Sequence, residues 1–203
     1  MFPSLSTVTN YALPCNGRVA FQYNGERMSQ ELTVYTRLPD ICTVERLAAR
    51  LGEAGWEARV LNEYSRTAEV APAGALPREG VIYGWERASR KHRRFTALFP
   101  VGLLVDAWAL PEELAACNVS VSLLETPDDQ FERDQWAGSL LPPEKLAVLQ
   151  QAECRYELSA WAADNPLSDR FLRDAAWALA KETGGIVFDP ERVEAKWAEE
   201  MTR

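Results

Sequence analysis

Apolar and polar residues alternate over residues 31–38, with the period of two that is typical of a half-buried β-strand. The period then changes, because apolar residues recur at Val44, Leu47 and Leu51, which would lie on one face of a helix. The pattern therefore predicts a strand followed by a helix over residues 43–54, with the threonine at its first position as the N-cap.

The same order of elements occurs twice along the chain. Residues 56–61 alternate again, so residues 31–61 predict a β-α-β unit. Residues 155–188 contain a strand, a helix that Ser168 would cap, and a short apolar strand, which predicts a second unit. The two units suggest an arrangement of two ferredoxin-like halves.

These elements favour an α+β fold with a mixed or antiparallel sheet and helices packed mainly on one face. We expect a single domain over residues 1–203, with residues 1–125 and 126–203 as candidate pseudo-repeat halves. Eight apolar residues on the predicted stripes are expected to be buried: Leu32, Val34, Leu47, Leu51, Val60, Leu158, Leu172 and Leu179.

Weaker patterns predict the remaining elements. In chain order these are a hairpin around residues 18–23, a strand over 81–85, one or two strands over 95–108, a short helix after Pro111, a strand over 119–124, a helix over 143–151 and a last helix capped by Asp189.

Charge is distributed unevenly along the chain. The 30 acidic and 22 basic residues give a net charge of −8, and all of the excess lies in the second half, because residues 1–100 sum to +3 and residues 101–203 to −11. Such a balance argues against nonspecific binding to nucleic acid, which needs a basic surface. It favours a basic partner, although an acidic surface also serves solubility alone.

Sequence signatures of cofactor sites are missing. The chain has no phosphate-binding GxxxxGK[ST] or GxGxxG motif, and Gly184-Gly185 follows a predicted helix, whereas anions bind at the start of one. The four cysteines lie far apart and His92 is the single histidine, so the spacing of a zinc site is absent. We therefore expect no metal and no nucleotide cofactor.

His92 is also the only histidine available for nucleophilic catalysis, and it lies among five cations between Arg87 and Arg94 that disfavour its protonated form. The sequence around it has no catalytic signature. The basic segment would either pair with the acidic half of the chain or contact an acidic ligand, and the sequence leaves both interpretations open.

An acidic segment with an embedded tryptophan is the predicted partner-binding site. Aromatic anchors with a charged rim are typical of protein interfaces, and the segment lacks the residue pattern of an EF-hand calcium loop. The tryptophan could equally pack into the core, and the carboxylates could simply be solvated. The predicted contact residues are Asp128, Asp129, Glu132, Asp134 and Trp136.

The start of the chain bears on its compartment. Residues 1–5 provide neither the basic nor the apolar region of a secretory signal. The scattered cysteines are most simply small buried apolar residues. We therefore expect a cytoplasmic protein.

The C-terminal run from Trp177 to Pro190 has the order helix, Gly-Gly, apolar strand, Asp-Pro. This run resembles the ending of several bacterial α+β families, some of which are immunity proteins of interbacterial toxin systems. The resemblance implies a small acidic protein that covers a cognate toxin domain.

Two classes of function follow from the sequence. The first is a non-enzymatic binding protein, most concretely an immunity protein that neutralises a toxin by direct contact. The second is a small hydrolase or transferase that uses carboxylates or a lone cysteine, and a structural or adaptor subunit is a third, weaker hypothesis.

Overall fold

The computed structural model describes residues 30–37, 42–62, 74–87, 114–124, 141–160, 166–192 and 194–201. In chain order they form β1 (Glu31–Thr36), α1 (Val44–Glu53), β2 (Trp56–Asn62), β3 (Glu79–Glu86), β4 (Leu114–Leu123), α2 (Pro143–Gln150), β5 (Cys154–Ala160), α3 (Pro166–Thr183), β6 (Ile186–Asp189) and β7 (Glu194–Trp197). A short 3-10 turn, Ala198–Glu200, follows β7.

The strands form one antiparallel sheet in the order β2-β3-β4-β5-β1-β6-β7. The predicted α+β class is therefore confirmed. Within each predicted β-α-β unit, the two strands do not pair with each other. Three strands separate β1 from β2, and β1 itself lies between β5 and β6, so strands of both predicted halves share one sheet.

The pairing of β1 with β5 follows from the alternation of their side chains. Leu32 pairs with Leu158, and Val34 pairs with Tyr156. All four side chains are buried and point to one face of the sheet. A shift of the pairing by one residue would turn the apolar side chains of the shifted strand to the other face, so burial selects this register. The hydrophobic pattern thus sets the register at the centre of the sheet.

Helices α1 and α3 cover this face and form the main core with it. Thr43 caps α1 as predicted, since its hydroxyl oxygen accepts a hydrogen bond from the backbone N–H of Arg46 at 3.3 Å. Gly55, with a φ of 92°, follows the end of α1. The eight residues expected to be buried are all in this core: Leu32, Val34, Leu47, Leu51, Val60, Leu158, Leu172 and Leu179.

Helix α3 approaches the sheet closely where the side chain of Phe171 lies directly over Gly84 of β3. A Cβ atom on Gly84 would lie only 2.2 Å from Cε2 of Phe171. The same ring packs edge-on against Trp56, with 4.8 Å between the ring centroids. Trp56 in turn donates a hydrogen bond from Nε1 to the buried carboxylate of Asp174 at 2.7 Å. This contact fixes α3 over the sheet.

Helix α2 covers part of the opposite face. Leu149 packs there in a second, smaller core with Tyr35, Ile186 and Phe188. Lys145 is also buried, and its ammonium group donates to the carbonyl oxygen of Ala195 at 2.8 Å. None of the helices in the described part of the chain is long and apolar enough to span a bilayer.

The predicted last helix is wrong, because the chain forms a hairpin there. Asp189 Oδ1 accepts hydrogen bonds from the backbone N–H groups of Glu191 and Arg192, as a helix cap would. The chain nevertheless continues into β7, where Ala195 pairs with Phe188 of β6 and is buried. Sheet pairing therefore outweighs the local helix-start signal.

Two further predictions are corrected. Residues 114–118 belong to β4 and not to a helix after Pro111, because Ala116 pairs with Tyr83 in the sheet. Helix α3 begins at Pro166, so Ser168 is a buried residue of its first turn and not the cap. The predicted hairpin around residues 18–23 and the strands over 95–108 lie outside the described residues.

An ion-pair cluster joins the two helices of the main core. The carboxylate of Glu182, near the end of α3, accepts hydrogen bonds from Arg50, at 2.7 Å, and Arg46, both on α1. Burial would raise the pKa of Glu182, but these hydrogen bonds outweigh it, and the pKa lies below the usual 4.5.

Replacement of Gly84 by alanine should destabilise the protein. The new methyl group would overlap the ring of Phe171, and such overpacking costs about 1–3 kcal/mol. Urea unfolding should show a smaller loss when Gly84→Ala is made in a Phe171→Leu background. An equal loss in both backgrounds would contradict the proposed close contact.

The stability contribution of Glu182 should depend on pH. Because its folded-state pKa is lowered, the contribution should be fully present above pH 4.5 and be lost as the pH falls through the lower folded-state value. Glu182→Gln should therefore cost about 1 kcal/mol at neutral pH and little in acid. Urea unfolding across this range, with the exposed Glu153→Gln as control, measures the difference, and a pH-independent cost would exclude the ion pairs as its cause.

Candidate binding surface

A polar groove lies on the sheet face opposite α1 and α3, across β3, β4, β5 and β1. It has a volume of about 250 Å³. We call it the polar groove and define it by the side chains on this face: Glu31, Thr33, Glu79, Asn118, Ser120, Glu157 and Ser159.

The strand register places these side chains in two rows across the sheet. In the first row, Glu79 pairs with Ser120, Ser120 with Glu157, and Glu157 with Thr33. In the second row, Asn118 pairs with Ser159, and Ser159 with Glu31. Paired residues of an antiparallel sheet point to the same face, so both rows face the groove.

The three carboxylates are spread out along the groove. Neighbouring strands lie about 4.8 Å apart, so the backbone positions of Glu79 and Glu157, two strands apart, are about 10 Å apart. Glu31 lies diagonally from Glu157 at about 8 Å by the same spacing. Glu31 and Glu79 are exposed, and Glu157 is half-buried. The arrangement is extended, unlike the compact clusters of carboxylates that bind metal ions.

The uncharged side chains of the groove are half-buried and able to donate and accept hydrogen bonds. The amide nitrogen of Asn118 donates to the hydroxyl oxygen of Ser159 at 3.1 Å. Ser120 and Thr33 flank Glu157 in the first row. The groove therefore offers neutral hydrogen-bonding groups between its charges.

The electrostatic character of the groove is acidic. Three of its lining residues are carboxylates, and none of the described lining residues is basic. One cation lies beside it, because Arg155, two residues before Glu157 on β5, approaches the Glu157 carboxylate at 3.6 Å. The groove retains an excess of negative charge, which suits a cationic ligand.

The partner-binding residues predicted from the sequence cannot be compared with this surface. Asp128, Asp129, Glu132, Asp134 and Trp136 lie outside the described residues, between β4 and α2. Their role as contact residues stays a prediction.

His92 and most of the basic segment around it also lie outside the described part of the chain. Arg87 is described, and it is an exposed residue just after β3. Its guanidinium group lies near Gly52 of α1, because a Cβ atom there would meet Nη2 of Arg87 at 2.9 Å. Arg87 is thus at the opposite end of β3 from Glu79 and the groove.

The three described cysteines are buried, reduced and poor nucleophiles. Burial raises the pKa of Cys42 to about 12, and the nearby charge of Glu182 adds to this effect. Burial likewise raises the pKa of Cys117 and Cys154. Because the thiolate is the reactive form, these side chains do not favour the cysteine-based version of the enzyme hypothesis.

A metal site among the described residues would need several suitable side chains close together. Among them, no group of three or more histidine, cysteine, aspartate or glutamate side chains is arranged to hold a metal ion. The wide spacing of Glu31, Glu79 and Glu157 agrees with this result.

The sequences of β4 and β5 contain one signal of the polar groove, which is the alternation of their polar residues. Asn118 and Ser120 alternate with apolar residues, as do Glu157 and Ser159. Each pattern predicts one polar strand face. The local pattern does not show that β4 and β5 are neighbours or that β3 and β1 flank them. The sequence analysis therefore does not predict the polar groove.

Comparisons with known proteins give no match: no family model, curated protein or solved structure is significantly similar to this chain. The similarity of residues 177–190 to the ending of immunity-protein families therefore stays a resemblance.

The buried thiols should resist modification in the folded protein. In a Cys15→Ser variant, a thiol reagent such as DTNB should react with Cys42, Cys117 and Cys154 only after unfolding. Burial blocks access of the reagent and disfavours the reactive thiolate form. The measurement is the rate of colour release at mildly alkaline pH with and without denaturant. Fast reaction of one of these thiols in the folded protein would support the cysteine-based enzyme hypothesis.

Proposed function

We propose that this chain is a non-enzymatic, cytoplasmic binding protein that neutralises a basic protein partner by direct contact, as an immunity protein does. The observation that carries the proposal is the polar groove, where three carboxylates and no basic residue line the described surface. An acidic surface of this kind accelerates association with a basic partner and disfavours acidic ones.

The form of the groove supports a macromolecular partner. Its carboxylates are about 8–10 Å from their nearest carboxylate neighbours along the sheet, so they would meet separate groups of a ligand. Ligand pockets for small molecules are usually enclosed and largely apolar. About half of the groove's lining surface is polar, and Glu31 and Glu79 at its sides are exposed.

The acidic segment over residues 128–136 would make a further contact with a basic partner. Each exposed ion pair contributes only about 0–1 kcal/mol, but four carboxylates together can raise the association rate by about 10- to 1000-fold at low salt. A stable complex then needs an apolar anchor, and Trp136, a large aromatic residue at the end of this segment, would provide it.

The proposal is tested with the product of the neighbouring gene. If that gene encodes a growth-inhibiting basic protein, co-expression of this chain should restore growth, and the two proteins should co-purify. Lack of both effects with any neighbouring product, or turnover of a small substrate by this chain alone, would favour the carboxylate-based hydrolase or transferase.

The acidic segment and its tryptophan should have different kinetic roles. Charge reversal of Asp128, Asp129, Glu132 and Asp134 should slow association with the partner and weaken its salt dependence. Trp136→Ala should leave association nearly unchanged and speed dissociation. Surface plasmon resonance at two salt concentrations measures both effects. If both variants bind like the wild type, the segment contributes only to solubility.

A further inference from the structure

The spacing of charges in the polar groove is specific enough to define the kind of segment that fits it. Glu31, Glu79 and Glu157 stand on three different strands, with neutral hydrogen-bonding side chains between them. The rows that they belong to run across the strands. A ligand that meets all three carboxylates must therefore cross β3, β4, β5 and β1.

We propose that the polar groove binds an extended segment of the partner that carries lysine or arginine side chains about 10 Å apart. The proposal rests on the proposed function, because it assumes a basic protein partner. It adds the place of contact and the shape and charge pattern of the bound segment.

An extended segment can match this spacing in the polyproline II conformation, which has three residues per turn and rises about 3.1 Å per residue. Every third side chain of such a segment points to the same side, at a spacing of about 9 Å. The backbone positions of Glu79 and Glu157 have nearly the same separation across the sheet. A segment with a cationic residue at every third position can therefore place one cation near Glu79 and the next near Glu157.

The neutral side chains of the groove suit the stretch of backbone between two such cations. Ser120 lies in the row between Glu79 and Glu157, and Asn118 and Ser159 lie in the adjacent row. Their hydroxyl and amide groups can both donate to carbonyl groups and accept from N–H groups of an extended chain. A compact cation would leave most of these groups unused, which favours a peptide over a metal ion.

The probe is a synthetic peptide with arginine at every third position and glycine and serine between, and its control has citrulline in place of arginine. Citrulline keeps the length and planar shape of the arginine side chain, but it carries no charge and has a carbonyl oxygen in place of one NH2 donor. Fluorescence anisotropy at low salt should detect binding of the arginine peptide to the wild-type protein and at least about tenfold weaker binding of the citrulline peptide.

The variant is Glu31→Gln/Glu79→Gln/Glu157→Gln, and the matched control is Glu144→Gln/Glu153→Gln/Glu191→Gln, which removes three exposed carboxylates outside the groove. Both change the net charge equally. The groove variant should bind the arginine peptide at least about fivefold more weakly, and the control should bind like the wild type. If Glu157→Gln perturbs folding, the double variant of the two exposed residues, Glu31→Gln/Glu79→Gln, should still weaken binding.

Equal weakening by the groove variant and the control would overturn the proposal, because net charge alone would then explain binding. Displacement of the peptide by millimolar Ca²⁺ in the wild type but not in the groove variant would also overturn it, in favour of a cation site. Neither result would contradict the proposed function, which depends on growth rescue and co-purification with the partner.

Discussion

The packing of α3 against the sheet is the constraint on which the rest of the structure depends. Phe171 can lie over β3 only because residue 84 has no side chain, and Trp56 of β2 holds the helix there through its ring contact with Phe171 and its hydrogen bond to Asp174. With α3 in place across β4, β5, β1 and β6, one face of the sheet becomes the main core. Helix α1 is fastened to α3 by Arg46, Arg50 and Glu182.

The polar groove is a consequence of this arrangement. Side chains alternate between the two faces of a strand, so burial of Leu32, Val119 and Leu158 under the helices turns Thr33, Ser120 and Glu157 to the opposite face. Among the described residues, the smaller core under α2 covers that face near β1 and β6, whereas Glu31 and Glu79 on the same face are exposed. Polar and acidic residues can therefore collect on the strands beside it without a cost of burial.

The state of the thiols and carboxylates among the described residues supports the proposed binding function. The three described thiols are buried in the core, where burial raises their pKa values. Three carboxylates with lowered pKa values, Glu182, Glu199 and Glu200, are engaged in ion pairs with lysine or arginine. The accessible acidic groups of the groove are spread over three strands, as suits contact with an extended cationic surface.

The sequence by itself determined the local elements and the buried face of each. The period of two around Val34 and the helical spacing of Leu47 and Leu51 gave correct strands and helices, because these patterns depend on neighbouring residues only. The helix expected after Asp189 failed because pairing of β7 with β6 is a contact that the local pattern does not contain. The position of β1 between β5 and β6, and with it the meeting of Glu31, Glu79 and Glu157 on one surface, was decided only by the tertiary structure. Strand order depends on contacts between residues more than 100 positions apart, such as Leu32 with Leu158, and no local period encodes which strands will meet.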